Sequence, residues 1–171
     1  MRRYLHFLLF VLLFLLYSCG TQTLAFQSLD RNSSLRDFSS QTRHPDLMVL
    51  TNAQEVDSLL PQLAPSPVLM SLVDQLQQLD YNRFIAILVM QGQSGGSSSI
   101  TVQQIQRDGD RVIVYAQFVT PRGSGQTANV TDAYHLVAIP KDDLAGRQIQ
   151  FELVDNSLFG GEVLRVSKAI P

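Results

Sequence analysis

Phe84-Ile85-Ala86-Ile87-Leu88-Val89-Met90 decides the fold. Seven apolar residues in a row, rich in branched side chains and without alternation, are the pattern of a strand covered on both faces. Side chains of a strand point alternately to its two faces, so this one needs apolar material above and below it and is expected to be central. Downstream, Ile100 and Val102 alternate and the phase changes before Ile105, as where a β-bulge sets two residues against one. Asp108-Gly109 then lies between Arg107 and Asp110, where a tight hairpin wants positive φ at both central positions, and Arg111 to Val119 resumes a β-rich run. Tyr115 and Phe118 fall on opposite faces of that strand, one ring for the core and the other for an edge or a partner.

Working outward, Tyr134-His135-Leu136-Val137-Ala138-Ile139-Pro140-Lys141 reads as a returning strand. Gln148 to Val154 alternates through Ile149, Phe151 and Leu153, and Gly160-Gly161 leads to Val163-Leu164-Arg165-Val166, which makes two more strands with a short tail expected to fray. On the other side of the key stretch, Leu47 to Leu50 is a short strand. Thr51 stands three residues before Gln54 in a capping-box arrangement, and Ala53, Val56 and Leu60 line one face of a helix ending at Pro61. Ser66-Pro67 supplies a cap and first-turn proline for a second helix, whose stripe of Val68, Leu69, Leu72, Val73, Leu76 and Leu79 packs on the sheet. The expected class is α+β, mainly β: an antiparallel sheet or small sandwich of about five to seven strands with one or two packed helices.

The amino terminus has a different character. Arg2-Arg3 precedes an apolar run from Tyr4 to Tyr17 interrupted only by His6, followed by Ser18-Cys19-Gly20, the layout of a secretory signal. The run is short of the ~20 residues that a spanning helix needs. Leu16-Tyr17-Ser18-Cys19 resembles a bacterial lipobox, and Cys19 is the sole thiol of the chain, placed where a diacylglyceryl group would be attached. Several acyl chains anchor durably where one is marginal. Gly20 to His44 is polar, and its apolar residues Leu24, Phe26, Leu29, Leu35 and Phe38 keep no sustained period, so it reads as a flexible tether. The expected organisation is a lipoprotein-type signal peptide at 1–18, a tether at 19–45 and a β-rich domain at 46–171. This places the protein in the bacterial cell envelope as a membrane-anchored lipoprotein; a soluble secreted form and an uncleaved single-span form are the alternatives.

The order Asn82 to Val89, Gly92, the Gly95-Gly96 loop, the hairpin, Pro121 and Tyr134 to Lys141 resembles the C-terminal domain of the PrcB-like family, named for a lipoprotein subunit that stabilises a secreted protease complex. The match runs over roughly Leu47 to Lys141. Where that family usually carries Thr-Gly-Gly-Tyr this chain has Ser94-Gly95-Gly96-Ser97, and where it has Pro-Tyr this chain has Ala133-Tyr134. The resemblance implies a noncatalytic envelope domain that binds and stabilises an exported partner, with a protease complex as the suggested one; the residues themselves lead to no expected cofactor or metal. Gly92, Gly95, Gly96, Tyr134 and His135 are the candidate contacts.

Composition narrows the field further. The chain holds 13 Lys and Arg against 15 Asp and Glu, and without Arg2 and Arg3 the balance is near −4, with no basic stripe to neutralise phosphates. Nucleic acid is therefore not an expected partner. Gly92-Gln93-Ser94-Gly95-Gly96 satisfies the Gly-x-Ser-x-Gly elbow, but an elbow must turn into a helix, and Ser97-Ser98-Ser99-Ile100-Thr101-Val102 is β-prone. His135 with Asp132 and Asp110 is too thin a set for zinc, and Asp108, Asp110, Asp142 and Asp143 read as turn formers. Asn129-Val130-Thr131 is a formal sequon of use only in a eukaryotic secretory route. Two alternatives stand beside the partner-binding expectation: a ligand-binding or serine-hydrolase-like domain using the Gly92–Gly96 loop with His135, and a structural lipoprotein that contacts the wall or membrane.

Overall fold

The computed structural model describes residues 20–32, 45–63, 69–92, 94–95, 98–120, 130–131, 133–142, 144–156 and 161–171. Cys19 and the signal segment, His44, the Ser66-Pro67 cap, Gly96, Pro121, Asn129, Asp132 and Asp143 lie outside them. The strands are β1 (Gln22–Leu24), β2 (Gln27–Asn32), β3 (Asp46–Leu50), β4 (Phe84–Met90), β5 (Ser94–Gly95), β6 (Ser99–Asp108), β7 (Arg111–Val119), β8 (Val130–Thr131), β9 (Tyr134–Pro140), β10 (Gln148–Asp155) and β11 (Glu162–Ala169). Two helices, α1 (Ala53–Leu59) and α2 (Met70–Gln78), stand between β3 and β4.

The strands form a five-stranded sheet in the order β1-β6-β7-β10-β11, a four-stranded sheet in the order β2-β9-β4-β3, and a small ribbon of β5 with β8. The fold is α+β and mainly β, a sandwich with helices on one outer face. β4 lies between β3 and β9 and is buried along nearly its whole length, as its unbroken apolar run requires. Its two faces belong to two cores. Ile85, Ile87 and Val89 join Val137 and Ile139 of β9 in the space between the sheets, opposite Ile105, Val112, Val114, Ile149 and Phe151. Ala86, Leu88 and Met90 join Leu136 in a second core, closed from outside by Val56 and Leu59 of α1 and Leu72 and Leu76 of α2. Burying each such leucine contributes about 1.5–3 kcal/mol.

The β6–β7 hairpin carries the expected bulge, seen as a register shift between Val102 and Gln104. Its turn is displaced by one residue from the expected place. Asp108 pairs with Arg111, so Gly109 and Asp110 are central, and among the described residues positive φ occurs only at glycines, with Gly109 at 60°. Glycine in the first central position followed by negative φ is the type II′ pattern, so the positive φ expected at both positions is needed at one. Phe118 packs against the inter-sheet core and Tyr115 lies half-buried on the other face.

The cap of α1 also moves by one residue. Asn52 Oδ1 accepts from Glu55 N at 3.0 Å, and Glu55 Oε2 reaches back to Thr51 N at 2.9 Å. This is the reciprocal logic of a capping box carried by Asn52 and Glu55 in place of Thr51 and Gln54. A further difference is the parallel pairing of β10 with β7. After β7 the chain crosses to the other sheet and returns through β9, and that intervening reversal brings β10 back in the direction of β7. The carboxyl end is ordered beyond Val166: Ser167, Lys168 and Ala169 pair with β10, and Ile170 is buried and donates its N–H to Arg147 O.

The largest correction concerns the expected tether. Residues 22–32 form two strands, β1 against Ile105–Arg107 of β6 and β2 against Tyr134–Ala138 of β9. They are one extended segment that passes from the first sheet to the second and closes that side of the sandwich. Leu24 enters the inter-sheet core, Phe26 packs against it, and Leu29 packs against the helix-side core. The change of sheet at Ala25-Phe26 and the bulge between Ser28 and Asp30 interrupt the period-two pattern, which is why no period shows. The folded domain therefore begins at β1 and not at residue 46.

Candidate functional site

The residues expected to meet a partner gather at the end of the sandwich where β4 stops and β9 starts. Gly92 is buried, with φ at 78°, a conformation that glycine adopts without strain. Gln91 N–H donates to Ala133 O at 2.9 Å and its side-chain Nε2 donates to Thr120 Oγ1 at 3.0 Å, which ties the start of this loop to the ends of β7 and β9. Ser94 and Gly95 then pair with Thr131 and Val130 as the β5–β8 ribbon. The chain continues from Gly92 into a strand rather than a helix, so Ser94 is not on a nucleophile elbow.

Tyr134 and His135 do not face outward as contact residues. Tyr134 is fully buried, and its hydroxyl donates to Asp30 Oδ2 at 2.7 Å. Burial, the hydrogen bond and the Asp30 charge together push its ionisation well above the usual tyrosine range. His135 is 3% exposed and lies across the gap between the sheets. β1 covers β6 only over Ile105–Arg107, and at Val102 the imidazole takes the place of a neighbouring strand: Val102 N–H donates to His135 Nδ1 at 2.9 Å. A ring that accepts at Nδ1 and is neutral carries its proton on Nε2, so Nε2–H donates to Ser28 Oγ, 2.8 Å away. Burial first, and the Arg31 cation second, lower the His135 pKa to about 4, against a smaller opposing pull from Asp30.

The serine that meets His135 is thus Ser28, in the segment read as a tether. The pair has the spacing of a catalytic dyad and the opposite polarity. A general base needs a free lone pair toward the hydroxyl and a proton on the far nitrogen held by an acceptor. Here the far nitrogen accepts from a backbone N–H and the near one already bears the proton. Together with Arg31 Nη1 donating to Thr101 Oγ1 at 3.0 Å, the Ser28–His135 and Asp30–Tyr134 bonds key β2 onto β9 and β6. Sequence reasoning missed this set because its polar half lies in an N-terminal stretch of low hydropathy. The usable signal was Ser28, Asp30 and Arg31 standing directly after Leu24 and Phe26.

The imagined metal set is dispersed. Asp110 sits in the hairpin turn at the opposite end of the sandwich, 3.3 Å from Arg147 Nη1, and among the described residues no group of three His, Cys, Asp or Glu is placed to hold an ion. Asp108 pairs with Arg111 across the same turn at 2.7 Å, consistent with a turn role. Among the described residues no helix is long and apolar enough to cross a membrane. No family model, no curated protein and no solved structure matches this chain.

Proposed function

We propose that this protein is a noncatalytic, lipid-anchored envelope protein whose β domain binds and stabilises another exported protein. The observation that carries the reading is where the chain enters the fold. β1 starts three residues after Cys19, beside Arg107 and the Gly109-Asp110 turn, and the segment then runs to Asn32 beside Tyr134. At ~3.3 Å per residue that run covers on the order of 30 Å. A lipid on Cys19 would hold the Gly109 end at the bilayer with almost no spacer and turn the Gly92 end and the β5–β8 ribbon outward. That end is where a partner would be met, through Gly92 and Gly95 together with Gly96, the next residue in the sequence. Tyr134 and His135 support it from inside, since their polar groups are engaged by Asp30, Val102 and Ser28. The polarity of the Ser28–His135 pair favours this noncatalytic reading over hydrolysis. The resemblance to the PrcB-like family suggests a protease complex as the partner.

The test is a crosslinked pull-down of the tagged full-length protein from native membranes, beside Cys19→Ala and a Gly95→Val/Gly96→Val double variant. One stoichiometric exported protein is expected, reduced in both variants while circular dichroism shows each still folded. Undiminished recovery with the double variant would remove the Gly92–Gly96 end from the interface. If folded, membrane-bound protein brings down nothing, the partner reading falls and a structural lipoprotein in contact with the wall or membrane takes its place.

A further inference from the structure

At the end of the sandwich where β1 begins, a cavity of about 710 Å³ opens between the cap of α1, the turn before β4 and the chain after β9. That volume lies in the range of small-molecule sites. Lys141 is buried against it, 9% exposed, with Nζ donating to Thr51 O at 3.3 Å and to Tyr81 O at 3.2 Å. An ammonium has three protons to donate, and two uncharged carbonyls account for two of them. Among the described residues no carboxylate pairs with Lys141. Held by two uncharged carbonyls, this ammonium can give its third proton to an anionic group that enters the cavity, which gains a charge-assisted hydrogen bond there. Two exposed carboxylates, Asp80 and Asp142, also line the cavity. Asp80 accepts from Asn82 N through Oδ1 at 3.1 Å, which leaves Oδ2 for a ligand. A simple anion would be drawn to Lys141 and repelled by the two aspartates; a simple cation would meet the reverse.

We propose that this cavity binds a small zwitterion, its anionic group on Lys141 Nζ and its ammonium against Asp80 and Asp142. An ethanolamine phosphate group has this chemistry, whether free in solution or carried on a lipid. Ala145 and Pro171 line the cavity on the side of the sheet where β11 ends, and Gly146 N–H bonds Ile170 O there. Only the lipid source rests on the Cys19 anchor, and the binding itself stands apart from the partner reading.

The experiment is calorimetric titration of the detergent-purified full chain with O-phosphoethanolamine, inorganic phosphate and ethanolamine. Phosphoethanolamine is expected to bind about tenfold tighter than either half-ligand. Lys141→Met is expected to abolish the heat, and Asp142→Asn, an exposed change that carries the test if Lys141→Met fails to fold, to bring phosphoethanolamine down to the affinity of phosphate. Equal affinity for phosphate and phosphoethanolamine in the unaltered chain, binding unaffected by Asp142→Asn, or no heat up to about 10 mM ligand would each overturn the proposal. Repeating the titration in micelles doped with phosphatidylethanolamine or phosphatidylglycerol separates the sources. Suppression by the first lipid alone assigns the headgroup, suppression by neither assigns a free ligand, and suppression by both refutes zwitterion recognition.

Discussion

Acid should loosen this fold through one imidazole. His135 is neutral between the sheets, and its pKa falls from the ordinary 6.5 to about 4 on folding. The unfolded chain therefore binds a proton that the folded chain refuses between those values, so stability is complete above 6.5, declines as pH falls toward 4, and is flat below it. Working that difference between pH 7.5 and 4.5 gives a loss of about 2.5 kcal/mol attributable to this group. Carboxylates titrate over the same range, so the measurement is a comparison. His135→Asn retains an oxygen that can accept from Val102 N–H and has no titrating group. Urea unfolding of both proteins at the two pH values should show the advantage of His135 over the variant shrinking by about 2.5 kcal/mol on acidification. A change under about 0.5 kcal/mol would mean that His135 titrates alike in the two states, and that burial between Val102, Ser28 and Arg31 does not hold the imidazole neutral. A change of opposite sign would require a protonated imidazole in the fold.

The other predictions probe the places where the fold departs from its sequence pattern. Asn52→Ala should cost about 1 kcal/mol in urea unfolding while Gln54→Ala costs almost nothing, because Asn52 is the residue whose side chain caps α1. Tyr134→Phe leaves Asp30 without its hydroxyl donor and should cost about 1–2 kcal/mol, with faster amide exchange in β2 and little change in β11. Leu72→Ala empties a fully buried site between α2 and the four-stranded sheet and should cost about 2–5 kcal/mol by thermal or urea unfolding. Deleting residues 20–32 should expose both cores along one side and give a protein that aggregates or binds a hydrophobic dye; a monomeric, cooperatively unfolding deletion product would contradict the two-sheet role of β1 and β2.

What the sequence disclosed and what it hid follow one rule, the range over which a pattern must repeat to be seen. β4 could be read because six of its seven positions, Ile85 to Met90, obey one constraint, burial on both faces. The β6 bulge showed because the phase changes inside a strand long enough to establish it on either side. The turn and the helix cap were found but placed one residue off: Asp108-Gly109 and Gly109-Asp110 are both plausible pairs, as are Thr51 with Gln54 and Asn52 with Glu55, and only the register across the strands or the direction of the cap bonds chooses. The parallel pairing of β10 with β7 depends on the chain having visited the other sheet in between, a nonlocal fact. Residues 22–32 carried the least visible signal and a large share of the structural consequence. Three residues serve one sheet, the chain changes sheets, and a bulge follows at once, so no periodicity lasts for four positions. The polar residues that looked like solvated spacer are the partners that buried Tyr134 and His135 require. A buried strand bearing a tyrosine and a histidine requires polar partners from elsewhere in the chain. Asp30 and Ser28, two residues apart, are those partners here, and their place close behind Cys19 makes any anchor there part of the domain's footing instead of a leash.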